Sequence, residues 1–477
     1  IVPAYKLQRS IHIQYQISTY KINQHIKMSS SYDISYEYCD ADALPAETTS
    51  ITSLERNQFY KICPGLHTID GTNAPLGQPR CGDGSNYSFM VTRPKKESQE
   101  VGGGGEKILI ELSGGGACWD SLTCSLQSFW LSFPVFYNAL VGTSCDSMDS
   151  AMLSDRLLCN RKIGDTDLSE YTSVFIPYCT QDVHFGDQPN TSYGVRHVGA
   201  HNIKRTLNWI FKNFPNPNDI FITGCSAGAT PLPIIYDLVN KHYDLGGDQA
   251  VNIDVIADSA VFLTPKYFLE NSVSNWNINT LLQQVGFNFD AYKNDESFPM
   301  AILDHSLQRS KKTDDIGYVS HDADQISLYY FKLMSGNLLS QLFGRDRELS
   351  LMIEDMYKMD GSKFVSPDFH QRRLNDDVEM QWWDKMNTSM ANAMESHSNF
   401  DSFVMEGTGH CSFGLNVPLE YAGFEEWAAS LLQEPIETTT PVTPESDGVV
   451  DNSTAQSSPT IDTSSESNSS IAFAADS

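Results

Sequence analysis

Gly224-Cys225-Ser226-Ala227-Gly228 constrains the fold more than any other stretch, because of its flanks. Asp219-Ile220-Phe221-Ile222-Thr223, just before it, is a short apolar run of β type. A helix-like segment from about Ile234 to Tyr243 follows. A serine between two glycines, on a tight turn from strand to helix, has its hydroxyl lifted clear of the sheet edge. The glycines remove Cβ atoms that would clash in so sharp a turn. The helix N-terminus behind the serine favours developing negative charge. Pro231 and Pro233 follow closely, and proline is tolerated only in the first turn of a helix. The helix start is therefore expected to be irregular, or displaced toward Ile234.

A serine on such a turn is a nucleophile only if an acid and a histidine follow it, in the order Ser, Asp/Glu, His. The histidine should sit just beyond the last strand, because chemistry gathers at the carboxyl ends of parallel strands. Asp401-Ser402-Phe403-Val404-Met405-Glu406 reads as that strand, and Gly407-Thr408-Gly409-His410 as its loop. His397 precedes the strand, and His370 has no strand before it. His410 is thus the expected general base. For the acid, Asp322 follows the run Ile316-Gly317-Tyr318-Val319-Ser320, and Asp258 closes Asp254-Val255-Ile256-Ala257. Position favours Asp322, with Asp258 and Asp324 as alternatives. If Asp258 is not the acid, it is expected to hold the strand end by bonding nearby backbone.

The remaining part is a set of backbone N–H groups aimed at a tetrahedral oxyanion. Lys107-Ile108-Leu109-Ile110-Glu111-Leu112 reads as a strand, and Ser113-Gly114-Gly115-Gly116-Ala117-Cys118-Trp119 follows it directly. The expected donors are Gly115, Gly116 and Ala227, the last being the residue after the nucleophile. Trp119 is either a wall of the substrate pocket or an ordinary core tryptophan. Gly102-Gly103-Gly104-Gly105 lies before the strand and reads as a surface loop. No Gly-Lys-Ser/Thr follows it, so it is no phosphate site. The fold class these parts imply is α/β, hydrolase-like: a mostly parallel central sheet flanked by helices.

At this point the chain resembles the pectin acetylesterase family, which also includes the Notum-type protein carboxylesterases. The matching stretches are Arg80 to Phe89 (RCGDGSNYSF), Gly114 to Asp120 (GGGACWD), Ile176 to Gly186 (IPYCTQDVHFG) and Gly224 to Gly228. Ala257-Asp258-Ser259 and Gly409-His410-Cys411 complete the set. The resemblance implies an α/β-hydrolase-like esterase with a Ser-Asp-His triad. The family's acid lies in an Asp-x-x-Gln motif, here Asp322-Ala323-Asp324-Gln325, which again implies Asp322. It also implies that His184 shapes the mouth of the substrate pocket or touches substrate; Asp258 is a further candidate for that pocket. A metal role for His184 is not expected, since no second histidine sits at ligand spacing and no His-Glu-x-x-His or paired Cys-x-x-Cys occurs. No cofactor is expected.

Composition divides the chain into three. Residues 1–55 are polar and weakly patterned, and read as a leader or pro-segment. Residues 56–434 read as one esterase domain. Residues 435–477 are rich in Ser, Thr, Pro and acids, without Lys or Arg, and are expected to be a disordered tail. Ten cysteines and the sequons at Asn86, Asn190, Asn387, Asn452 and Asn468 suggest a secreted, disulfide-bonded glycoprotein. No secretion signal is visible, so a cytosolic protein with free thiols is the rival reading. By proximity, Cys118–Cys124 and Cys145–Cys159 are candidate pairs. Cys225 and Cys411 adjoin the proposed serine and histidine. Neither reads as a nucleophile, and Cys225 is expected to point into the packed elbow, opposite the serine.

The net charge is −28. Nucleic acid and anionic membranes are therefore not expected partners. A densely charged polyuronate fits the charge less well than a neutral acetylated glycan or an acylated protein or lipid. The sequence thus points to a serine carboxylesterase, with O-acetyl groups on a polysaccharide as first substrate. The alternatives are a deacylase of acylated protein or lipid, which needs a deep apolar pocket, a peptidase, and a non-catalytic binding protein.

Overall fold

Six runs dominated by apolar residues become parallel neighbours in one sheet, and their carboxyl ends make one edge. The computed structural model describes residues 43–64, 79–95, 106–126, 162–244, 251–335, 377–411 and 423–432, with gaps of one to four residues inside these ranges. The strands are β1 (Leu44–Pro45), β2 (Phe59–Cys63), β3 (Phe89–Thr92), β4 (Lys107–Leu112), β5 (Lys162–Ile163) and β6 (Thr166–Asp167). They continue with β7 (Thr172–Ile176), β8 (Asp219–Cys225), β9 (Asn252–Asp258), β10 (Ile316–His321) and β11 (Phe400–Met405). Strands β5 and β6 pair only with each other; the other nine form one sheet in the order β1-β2-β3-β7-β4-β8-β9-β10-β11. From β7 to β11 every pairing is parallel. β3 is antiparallel to both β2 and β7.

Strands buried on both faces read as nearly continuous apolar runs, which is why β4 and β8 are visible in the sequence. Alternation along β4 sends Ile108, Ile110 and Leu112 into one core and Leu109 into the other. The first core is covered by α1 (Gly199–Asn213), α2 (Leu232–Asp244), α3 (Phe298–Leu307) and part of α5 (Asp377–Ser396), through Ile203, Ile235, Leu303 and Met386. The second is covered by α6 (Phe424–Ser430), through Phe424 and Trp427. Helix α4 (Gln325–Met334) follows β10. The expected fold class, an α/β-hydrolase-like mostly parallel sheet with flanking helices, is the one observed.

The expected leader boundary at residue 55 lies too late. Residues 44–45 pair with β2, and Ile51 and Leu54 are buried in the first core. Two apolar residues in an otherwise polar stretch gave too weak a pattern to show this. The expected tail lies outside the described residues.

At the opposite edge, near the start of β9, Asp254 is 3 % exposed. Its Oδ1 accepts from Asp315 N at 3.2 Å and its Oδ2 from Asn252 Nδ2 at 2.8 Å. Burial, reinforced by the charges of Asp219, Asp315 and Asp314 and opposed by the Asp315 N–H, pushes its pKa up to about 9. The folded chain therefore holds a proton here that the unfolded chain releases near 3.8. Stability from this group is lost as pH rises through that window. Asp254→Asn, neutral at every pH, should flatten the fall in melting temperature between pH 5 and 9. Parallel melting curves for variant and wild type would contradict this.

Candidate active site

The serine turn is built as its sequence requires. β8 ends at Cys225, and Ser226 takes φ +56°, a left-handed conformation rare outside glycine. A 3-10 turn over Ser226–Gly228 follows, and α2 begins at Leu232. Ala229 N and Thr230 N both donate to Ser226 O. Pro231 thus precedes the helix and Pro233 lies in its first turn, which is the irregular start expected. Both flanking glycines are obligatory. A Cβ on Gly224 would come within 2.6 Å of Gly228 O, and one on Gly228 within 2.7 Å of Ser113 O.

The loop after β4 lies against this turn. A Cβ on Gly114 would stand 2.9 Å from Ser226 Cβ. Gly115 and Gly116 adopt φ of +148° and +76°, which favours glycine at both positions. Among the described residues, neither Gly115 N–H nor Gly116 N–H donates to a backbone carbonyl. Two such donors beside a serine are what an oxyanion site consists of.

His410 comes to the same edge, but the carboxylate that meets its ring is Asp324, not Asp322. Nδ1 of His410 lies 3.0 and 2.8 Å from the two carboxylate oxygens of Asp324. Asp322 points elsewhere, accepting from Gly407 N at 2.7 Å. The reason is local. β10 runs one residue further than its apolar run suggests, to His321, and residues 322–324 then turn into α4. The first residue of that turn meets the β11 loop. The third, Asp324, becomes the helix N-cap, accepting from Ser327 N and Ser327 Oγ at 2.9 Å each. Capping fixes the buried carboxylate and places it at the positive end of the helix.

Burial opposes charging of His410, but the charge and hydrogen bond of Asp324, with the charge of Asp258, outweigh it and raise the pKa above 6.5. The other ring nitrogen, Nε2, is buried and has no hydrogen-bond partner among the described residues. Asp258 bears on the histidine through its charge. Its Oδ1 accepts from Ser259 Oγ at 2.9 Å, and Ser259 Oγ accepts from Cys411 N at 3.0 Å. Through Ser259 it connects the strand end to the histidine loop.

A covalent tie adds to this. Cys225 is bonded to Cys411, so the residue before the serine is joined to the residue after the histidine. Cys225 was expected to point into the elbow; it reaches the histidine loop instead. Cys118–Cys124 forms as expected, and Cys81–Cys179 was not foreseen. Cys145 and Cys159 lie outside the described residues. No cysteine among the described residues is free. Two histidine–cysteine groups, at His197 and His410, have ligand-like spacing, but their sulfurs are the disulfides Cys118–Cys124 and Cys225–Cys411. Such sulfurs offer no thiolate to a metal.

Ser226 and His410 line one cleft, with about 910 Å³ of non-atom space, the solvent at its mouth included. Trp119, Phe185, Phe268, Trp276, Phe298 and Ile302 are among its walls. Trp119 packs edge-on to Phe268 with ring centroids 4.9 Å apart and is 6 % exposed, so it is wall and core at once. His184 is not at the mouth: it is buried behind the loop after β4, with Nε2 3.0 Å from Ser113 O. Asp258 does not line the cleft either, though its neighbour Ser259 does.

Comparison with known proteins fits this geometry. The family model "Pectinacetylesterase" matches residues 68–296. Among curated proteins, the palmitoleoyl-protein carboxylesterase NOTUM of Schmidtea mediterranea is 27 % identical over 195 residues, 40 % of this chain and 34 % of that protein. Palmitoleoyl-protein carboxylesterase notum2 of Xenopus laevis is 22 % identical, over 39 % of this chain and 35 % of its own. Palmitoleoyl-protein carboxylesterase notum1a of Danio rerio is 25 % identical, over 43 % and 37 %. The match spans about a third of the length of these relatives.

The clamp at the site can be tested directly. The Cys225–Cys411 bond closes a loop across a sequence separation of 186 residues. The double variant Cys225→Ser/Cys411→Ser should lose about 3–5 kcal/mol of stability in chemical denaturation. An unchanged denaturation midpoint would show that the bond restrains nothing.

Proposed function

We propose that this chain, a pectinacetylesterase-family protein over residues 68–296, is a serine carboxylesterase working through an acyl-enzyme. Ser226 is the nucleophile, His410 the general base and Asp324 its acid. Nε2 of His410 takes the Ser226 Oγ proton as oxygen attacks the ester carbonyl. Asp324, bonded to Nδ1, holds the tautomer that leaves Nε2 free to accept and stabilises the imidazolium that forms. The N–H groups of Gly115, Gly116 and Ala227 bind the oxyanion. The tetrahedral species collapses, the proton passes from His410 to the departing alcohol, and water releases the acid by the same steps in reverse order.

The observation that carries the reading is that His410, whose Nε2 has no hydrogen-bond partner among the described residues, lines the same cleft as Ser226. The walls of that cleft decide between substrates. An acetyl group needs only a small niche, whereas this cleft is walled by aromatic and aliphatic side chains such as Trp119, Phe185, Phe268, Trp276, Phe298 and Ile302. Each buried CH₂ contributes about 0.8 kcal/mol, so such walls favour a longer acyl chain. We therefore place an acylated protein or lipid ahead of an acetylated polysaccharide, reversing the order read from sequence. The family model, whose description names pectin acetyl esters, keeps the acetyl reading as the second. Disulfides at three described pairs support an oxidising, extracytoplasmic location. Among the described residues no helix is long and apolar enough to cross a membrane.

p-Nitrophenyl esters from acetate to palmitate, assayed on wild type and Ser226→Ala, separate the readings. We expect activity rising beyond the short chains and falling at least about 10³-fold in Ser226→Ala. A maximum at acetate would overturn the acyl-chain assignment. Activity that persists without the serine would overturn the mechanism.

A further inference from the structure

The motif Tyr178 to Gly186 is the most specific stretch that this mechanism leaves unused. It follows β7, whose last residue, Ile176, is in register with Leu112 at the end of β4. The two loops that leave these strands are bonded along their length. Ser113 N donates to Ile176 O at 3.1 Å, and Tyr178 N donates to Ser113 Oγ at 2.8 Å. Cys118 N donates to Gln181 O at 2.9 Å. Between these ends lie two side-chain contacts: His184 Nε2 to Ser113 O at 3.0 Å, and Gln181 Nε2 to Gly115 O at 3.2 Å.

The second contact has a geometric consequence. Gly115 C=O and Gly116 N–H belong to one planar trans peptide, and they point in opposite directions. Fixing the carbonyl from behind therefore aims the N–H forward. His184 does the same for the peptide joining Ser113 to Gly114. Burial lowers the His184 pKa to about 4, so the ring is neutral, and a nitrogen facing a carbonyl must carry the proton. Both side chains are buried, His184 at 1 % and Gln181 at 0 % exposure. Gln181 Oε1 has no partner among the described residues, an unmet buried acceptor that a purely structural residue would avoid.

The loop is also held in a costly shape. Gln181, Val183 and His184 all have φ between +54° and +61°, a left-handed conformation that strains residues with side chains. Asp182 compensates: its carboxylate accepts from Thr180 Oγ1 at 2.6 Å, His184 N at 3.1 Å and Gly199 N at 2.8 Å. The glycines at 186 and 199 leave room for it. A Cβ on Gly186 would stand 2.9 Å from Asp182 Cγ.

We propose that Gln181 and His184 are positioning residues of the oxyanion site: Gln181 aims the Gly116 N–H by holding the Gly115 carbonyl from behind, and His184 fixes the start of the same loop at the Ser113–Gly114 peptide. This rests on the esterase reading above. The test compares two probes. An alkyl boronic acid forms a tetrahedral adduct on a serine and places a hydroxyl where the oxyanion would sit. An alkyl ether of equal length fills only the acyl cleft. Gln181→Met, near in size but without a donor, should weaken boronate binding by about 10- to 100-fold and leave ether binding within about twofold. His184→Leu should do likewise, and His184→Gln, which keeps an N–H at the same reach, should lie closer to wild type.

Equal losses for both probes, or no loss for either, would overturn the proposal, because a merely structural role moves them together. If Gln181→Met does not fold, the His184→Leu and His184→Gln pair decides by the same criterion. If none of the three folds, the contacts serve the fold and the proposal fails. Ser226→Ala separates this from failure of the underlying reading. If wild type binds boronate no better than Ser226→Ala does, the nucleophile assignment falls, and this proposal with it.

Discussion

The site depends on keeping two residues together that the sheet holds apart. Ser226 follows β8 and His410 follows β11, and β9 and β10 lie between them. The turn bearing the serine is rigid, but His410 sits on a loop rich in glycine, where the backbone has many alternatives. Three restraints remove those alternatives. The Cys225–Cys411 bond joins the two loops covalently. Ser259 Oγ, itself bonded to Asp258, takes the N–H of Cys411. Asp324, fixed as a helix cap, takes the imidazole. The ends of β9 and β10, which separate serine from histidine, thus also supply two of the anchors.

The same economy governs the other side of the serine. β4 and β8 are adjacent, and the loops that leave them touch through positions where no Cβ fits: Gly114, Gly224 and Gly228. Close approach brings the backbone N–H groups within reach of a reacting carbonyl. It also leaves the glycine loop without side chains of its own to hold it. The buried loop after β7 supplies what the glycines lack. Beyond both, aromatic residues from Trp119 to Phe298 close the cleft.

Much of this was legible in the sequence. The strands at Lys107–Leu112, Asp219–Cys225, Asn252–Asp258, Ile316–His321 and Phe400–Met405 were readable as short apolar runs to within two residues. Their carboxyl ends told where Ser226, His410 and the candidate acids would gather. Asp322 was favoured by that same logic, whereas Asp324 is the carboxylate that meets His410. A strand count locates a strand end, but it does not say which of three turn residues faces inward, and a two-residue shift in a turn reverses direction. Ser327, three positions after Asp324, was the available clue, since Asp-x-x-Ser is a helix-cap spacing. The Cys225–Cys411 pairing could not be read from spacing, as pairing follows tertiary contact. The cleft was invisible for a related reason. Its walls come from positions as far apart as Gly116 and His410, and each alone reads as ordinary core. His184 was singled out for its neighbours' chemistry, yet it faces a backbone carbonyl.

The central claim is that Asp324, through His410, activates Ser226. Covalent labelling of Ser226 by an alkyl fluorophosphonate, followed by mass spectrometry across pH, tests it without knowledge of the substrate. Asp324→Asn and Asp322→Asn are compared with wild type. The account expects labelling at Ser226 whose rate rises with pH to a plateau, with a midpoint above the ordinary histidine value, because His410 must be neutral to act. Asp324→Asn should slow labelling by up to about 10⁴-fold, as loss of the triad acid does elsewhere, while Asp322→Asn should stay within about tenfold. The reverse order of the two variants, or label on a residue other than Ser226, would contradict the account.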